Sequence, residues 1–83
     1  MPIGKEEIRG WLERGKRMGA SHVIIACDTF DWSDFPVFVS PSQDVFKIAA
    51  DLDNEKNMTK LMEVYKLDMD WGKQLAEYRA RNY

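Results

Sequence analysis

Five consecutive apolar residues, Val23-Ile-Ile-Ala-Cys27, lie between a glycine stop and a turn-rich loop in a chain of 83 residues. The run is β-branched at three of its five positions and does not alternate with polar residues. A strand of that kind is covered on both faces, because a strand with one wet face alternates. The run is also far shorter than the ~20 residues that cross a bilayer as a helix. Residues 22–28 are therefore expected as a strand, and other elements must bring apolar surface to each side of it.

The flanking patterns supply that surface. Ile8, Trp11, Leu12, Gly15 and Met18 follow one helical face over residues 5–18, with charge on the other. Gly15 within this stripe would let another element come close, and Gly19 is a stop signal. Asp28 to Pro36 is rich in turn formers. A second short strand is expected at residues 37–40, with pairing that extends to Pro36. The short connection favours an antiparallel hairpin. Ser40, Pro41 and Gln43 have the capping-box spacing of a helix start, with Val45, Ile48, Ala49 and Leu52 as its apolar face. Asn54 is read as the cap of a further helix carrying Met58, Leu61, Met62 and Tyr65. Asp68 or Asp70 is read as the cap of a last one carrying Trp71, Leu75 and Tyr78. Residues 77–83 are read as a frayed end, with a peptide tail that binds a partner as the alternative. The expectation is a single α+β domain spanning residues 1–83. Its order is α-β-β-α-α-α, with a two-stranded antiparallel hairpin packed by amphipathic helices. Such a hairpin is marginal alone, so helices or another chain must support it.

Charge narrows the function. Residues 21–55 carry seven acidic and one basic side chain, whereas residues 1–20 and 56–83 are each mildly basic. The basic residues are interleaved with acids instead of forming a footprint, so direct nucleic-acid binding is not expected. The acidic middle favours a partner with a basic surface. The chain starts without an apolar leader, and its lone cysteine, Cys27, cannot staple a secreted fold. Both features lead to the expectation of a cytoplasmic protein with no membrane association.

Few residues invite catalysis. Cys27 and His22 stand five apart in one predicted strand, so they face opposite ways and cannot form a local dyad. Cys27 reads as a buried small hydrophobe. Asp28, Asp31 and Asp34 recur every third residue, but this is not the spacing of a calcium loop and no glycine makes the sharp turn. No metal, cofactor or catalytic residue is expected. A small carboxylate-dependent metal domain or enzyme is the alternative, and a homodimeric accessory domain is another. The aspartates alternate with Phe30, Trp32 and Phe35. Aromatics with acidic neighbours suit a protein interface. The expected partner-binding set is thus Asp28, Phe30, Asp31, Trp32, Asp34 and Phe35, with Trp32 the leading anchor. The competing reading folds the aromatics back as a lid.

The segments Gly19-Ala-Ser-His-Val-Ile-Ile-Ala-Cys-Asp-Thr-Phe-Asp31 and Asp34-Phe-Pro-Val-Phe-Val39 resemble a group of small, mostly uncharacterised proteins of bacteria and their phages. Asn57-Met, Met62-Glu-Val-Tyr and Gln74-Leu-Ala-Glu-Tyr-Arg-Ala-Arg-Asn-Tyr83 extend the likeness over most of the chain. The resemblance implies an accessory protein of a mobile element. Some such proteins block host defence by binding its components, as anti-CRISPR proteins do. It implies no catalytic residues.

Overall fold

The computed structural model describes residues 4–54, 56, 58–77 and 79–83. Helix α1 spans Lys5–Met18, with Glu6 and Glu7 in its first turn and Lys16 and Arg17 in its last. Those signs complement the partial charges at the helix ends. Gly19 ends it at φ 78°. Paired bonds run from Gly19 N to the Lys16 carbonyl and from Ala20 N to that of Gly15, the left-handed stop that glycine adopts without strain. Strand β1 is His22–Asp28, as its apolar run predicts. Strand β2, Ser33–Val39, pairs antiparallel with it along their whole lengths.

Strand β3, Thr59–Lys66, pairs antiparallel with the other side of β1. The sheet thus has three strands in the order β2-β1-β3, and the elements run α-β-β-α-β-α. This corrects the expected two-stranded hairpin and the helix expected over Met58 to Tyr65. The helical spacing of Met58, Leu61, Met62 and Tyr65 is accidental. Glu63 opposes Ile25 while Leu61 opposes Ala26, so Met62 is an extra residue at a bulge. The bulge breaks the strand alternation, and a buried charge at Glu63 disguises it further.

Helix α2, Val45–Leu52, also starts later than expected. Gln43 does reach back, its Oε1 accepting from Ser40 N at 2.9 Å. The helix begins beyond that turn, at Asp44, whose carboxylate accepts from Phe46 N and Lys47 N. Asn54 does not start the helix expected over Met58 to Tyr65, which is strand β3; its side chain accepts from Lys56 N at 2.9 Å. Helix α3, Trp71–Ala76, is capped by Asp70, one of the two aspartates expected for that place. Tyr78, assigned above to its apolar face, lies outside the described residues.

The sheet divides two cores. Ile8, Leu12, Val23, Ile25, Tyr65, Leu75 and Ala80 fill the side covered by α1 and α3. Ile24, Val39, Val45, Ala49, Leu61 and Val64 fill the side covered by α2. Each fully buried aliphatic side chain of this size contributes about 1.5–3 kcal/mol. Continuous apolar character in β1 is thereby explained.

The two sheet edges differ. Lys66 N donates to Gln74 Oε1 at 2.8 Å, and Gln74 Nε2 donates back to the Lys66 carbonyl at 2.9 Å. Val64 N donates to the Ala80 carbonyl, and Asn82 N to that of Val64. At Leu61 the partners are the Asp53 carboxylate and the Arg81 guanidinium. Residues 80–83 are therefore strapped along β3, which overturns the frayed end expected from sequence. On the other edge, the Val39 carbonyl accepts from Ser21 N and so faces β1. Alternation then turns the backbone groups of Asp34, Pro36 and Phe38 toward the free edge. Pro36 stands where its missing N–H costs no ladder bond, the place for proline in an edge strand.

Gly15 sets how closely α1 approaches the sheet. A Cβ there would meet Val23 Cγ2 at 2.7 Å, Leu67 Cδ1 at 3.1 Å and Phe38 Cδ1 at 3.3 Å. One at Gly10 would meet nothing within 4 Å. Gly10→Ala should therefore stabilise the fold by up to about 1 kcal/mol through helix propensity. Gly15→Ala, the same exchange one and a half turns later, should destabilise it by about 1–3 kcal/mol through overpacking. Denaturant midpoints of the two variants check the opposite signs.

Candidate protein-binding site

β1 and β2 are joined by the four residues Thr29, Phe30, Asp31 and Trp32. Trp32 N donates to the Asp28 carbonyl at 2.7 Å, closing the turn. Asp28 Oδ1 accepts from Phe30 N at 2.8 Å. Asp31 Oδ1 accepts from Ser33 N at 3.0 Å and Ser33 Oγ at 2.7 Å. Both carboxylates hold the backbone in place, the usual work of aspartate in a turn. The Ser33 bonds hold the Asp31 carboxyl below its ordinary pKa. It is therefore a fixed negative charge at the tip.

These bonds impose a conformation that tryptophan resists. Trp32 has φ 59°, in the left-handed region where a large side chain is strained. Trp32 is 63% exposed and Phe30 79%. Neither folds back as a lid. Met58, before β3, shares both properties: its φ is 57° and it is 45% exposed. Its carbonyl accepts from Thr29 N at 2.8 Å, which joins the two turns. Phe30, Trp32 and Met58 thus form one apolar end of the molecule. The sequence conceals Met58, because its spacing with Leu61, Met62 and Tyr65 reads as a helical stripe. No local signal in the chain marks its left-handed backbone.

The remaining expected residues are placed less uniformly. Asp28 ends β1 beside the tip, and Asp34 lies in β2 opposite Cys27. Phe35 is in β2, half-buried and opposite Ala26, one position on from Asp34 and so on the other face of the sheet. The tip therefore brings together Asp28, Phe30, Asp31 and Trp32, while Asp34 and Phe35 diverge behind it. Lys60, on the far side of Cys27 from Asp34, adds a cation to this end. Among the described residues, no three His, Cys, Asp or Glu side chains converge as a metal site would need.

Cys27 is buried in the face shared with Val23 and Ile25. Burial, and then the nearby Asp34 carboxylate, push its thiol above the ordinary 9.0. His22 is at the other end of β1, with Nδ1 2.8 Å from Ser21 Oγ. It lines a groove of about 540 Å³ with Lys16, Ala20, Ser21, Lys66, Leu67 and Asp68. A second polar knot lies beneath α1. There Glu63 accepts from the Tyr65 hydroxyl at 2.8 Å, from Lys5 Nζ at 3.2 Å and from Ala80 N at 3.3 Å. Burial, reinforced by the Glu63 carboxylate, pushes the Tyr65 hydroxyl well above its ordinary pKa, so it remains a donor. This knot ties the 80–83 segment to the core.

The chain matches no protein-family model, no curated protein and no solved structure. Among the described residues, no helix is long and apolar enough to cross a membrane. The functional reading accordingly rests on the geometry of the molecule itself.

Two outcomes follow from that geometry. Trp32→Gly removes a strained left-handed residue and little buried surface, so it should raise stability by about 0.5–1 kcal/mol. A loss of stability in thermal unfolding would mean that the indole supports the fold. Cys27 should react slowly with a thiol reagent in the folded protein. Burial and the nearby Asp34 carboxylate raise its pKa, so its thiolate is scarcer at neutral pH than that of an ordinary cysteine. The modification rate against pH, beside that of the unfolded chain, measures this.

Proposed function

We propose that this protein is a non-enzymatic binding module whose tip, Asp28 to Trp32 with Met58 and with Asp34 behind it, docks on a partner protein with a basic surface. One observation carries the proposal: a bulky aromatic, Trp32, is held exposed in a left-handed turn by two aspartates, next to exposed Phe30 and Met58. Strain of this kind persists only where the surroundings enforce it, and it clusters at functional sites. Exposed apolar residues scattered singly mean little, but three on two adjoining turns form a patch of the kind that marks interaction sites. The indole supplies desolvation energy, and the aspartates speed encounter and select against acidic partners.

The resemblance to small phage and bacterial proteins extends the proposal to context. A cytoplasmic accessory protein of a mobile element, inhibiting a host defence complex by occupying a basic surface, fits the tip's chemistry. The acidic residues concentrated between positions 21 and 55 would then imitate the charge of a nucleic acid.

Kinetics on a captured partner separate the roles. With host lysate as the source, the wild-type protein should retain a partner that Trp32→Ala loses. Trp32→Ala should mainly raise the dissociation rate, at a cost of about 2 kcal/mol. Asp31→Asn with Asp34→Asn should mainly slow association and weaken its salt dependence. A folded Trp32→Ala protein that binds as tightly as wild type would overturn the proposal.

A further inference from the structure

The two ends of the sheet are chemically opposite. The tip protrudes beyond Asp28 and carries Phe30, Trp32 and the fixed charge of Asp31. The other end, where β1 begins at His22, is concave. Its groove of about 540 Å³ has Lys16 and Lys66 on its walls, Ala20 and Leu67 as apolar lining, and the polar His22 ring beside Ser21. Lys66 stands directly across the ladder from His22, and Lys16 Nζ lies 5.7 Å from the centre of the Trp71 ring. Through Ala20 the groove adjoins a smaller dent bounded by Met18 and Phe38. Asp68 is the single acid lining the groove, opposed by the two lysines.

We propose that the aromatic tip of one molecule docks in the lysine-lined groove of a second copy, head to tail. This rests on the reading of the tip as a protein-binding site and names one partner for it. The complementarity has two parts. A protruding indole and phenyl ring meet a concave wall of aliphatic carbon and lysine stems, where ammonium groups also favour aromatic faces. The Asp31 carboxylate meets Lys16 and Lys66. Geometry forbids a molecule from satisfying itself, because tip and groove are separated by six residue steps of β1, about 20 Å. The contact uses different surfaces on the two copies, so each docked pair still offers one free tip and one free groove. Association therefore continues into chains instead of stopping at a dimer. Three exposed side chains in one groove fall short of the roughly 1,200 Å² of a standard interface, so the contact is weak and concentration-dependent. Screening of the Asp31–lysine attraction makes it weaker still in high salt.

Sedimentation velocity across a concentration series, at low and high salt, tests this with two variants. Phe30→Ala with Trp32→Ala removes the tip and leaves the groove. Lys16→Glu with Lys66→Glu reverses the groove and leaves the tip. Wild type should show a weight-average mass that rises without a plateau from 9.7 kDa as concentration increases, and less steeply in high salt. Each variant alone should remain monomeric. An equimolar mixture should form a one-to-one complex and stop there, since only one intact tip and one intact groove remain to meet. That rescue also shows that both variants are folded. A wild type monomeric at every concentration overturns the proposal, as does a groove variant that dimerises alone through its tip. Capture of a different partner through Trp32 would then still stand, and its loss would be seen separately in the Trp32→Ala kinetics.

Discussion

Strand β1 is bonded on both edges and covered on both faces, and everything else in the molecule answers to that position. Residues 23–27 are buried, and no side chain among them can offset the loss of water with polar groups of its own beyond a thiol. Their backbone groups must therefore be satisfied by β2 and β3, and their side chains by α1 and α3 below and α2 above. The alternation inside β1 assigns each neighbour to a layer. Val23 and Ile25 belong to the core of α1, and Ile24 to that of α2. His22 and Cys27, five apart, are separated by the same rule, which removes any thiol–imidazole chemistry.

That centrality explains which parts of the fold could be read from the chain. The helix over residues 5–18, its stop at Gly19, the strand at 22–28 and the Asp70 cap are local patterns, and local patterns survive folding here. β3 is different because its identity depends on a partner far away in sequence. Thr59 to Lys66 becomes a strand because β1 has an unpaired edge, and the bulge at Met62 erases the alternation that would have announced it. Pro36 misled in a similar way. In isolation it reads as the end of a loop, yet an edge strand tolerates it, so β2 starts at Ser33. Ser40 and Gln43 make half of the expected capping box without starting a helix, because Asp44 offers the better cap four residues on.

The candidate site was legible in composition and illegible in shape. Alternating aspartates and aromatics marked the Asp28 to Phe35 segment. Only the closed turn reveals that Asp28 and Asp31 spend their side chains on backbone N–H groups. Their bonds set the direction of Trp32. A metal would compete with those same oxygens, whereas an aromatic anchor benefits from them, since a rigid side chain loses less entropy on docking. Met58 joins the patch through one hydrogen bond to Thr29, a relation between residues nearly thirty positions apart.

At the outer edge of β3, a single side chain does the job of a neighbouring strand. The Gln74 amide has the donor and acceptor of a peptide group, and it meets Lys66 with both, while being only 1% exposed. With the Ala80 and Asn82 backbone at Val64, the sheet is closed in that direction by a few groups. A foreign strand cannot join there by simple contact. It must first pull the 80–83 segment off the Glu63 knot and draw a buried amide into water, so edge growth has to pass through partial unfolding. Resistance to amyloid-like stacking on this side is thus kinetic in character, set by the cost of opening instead of by repulsion at the surface.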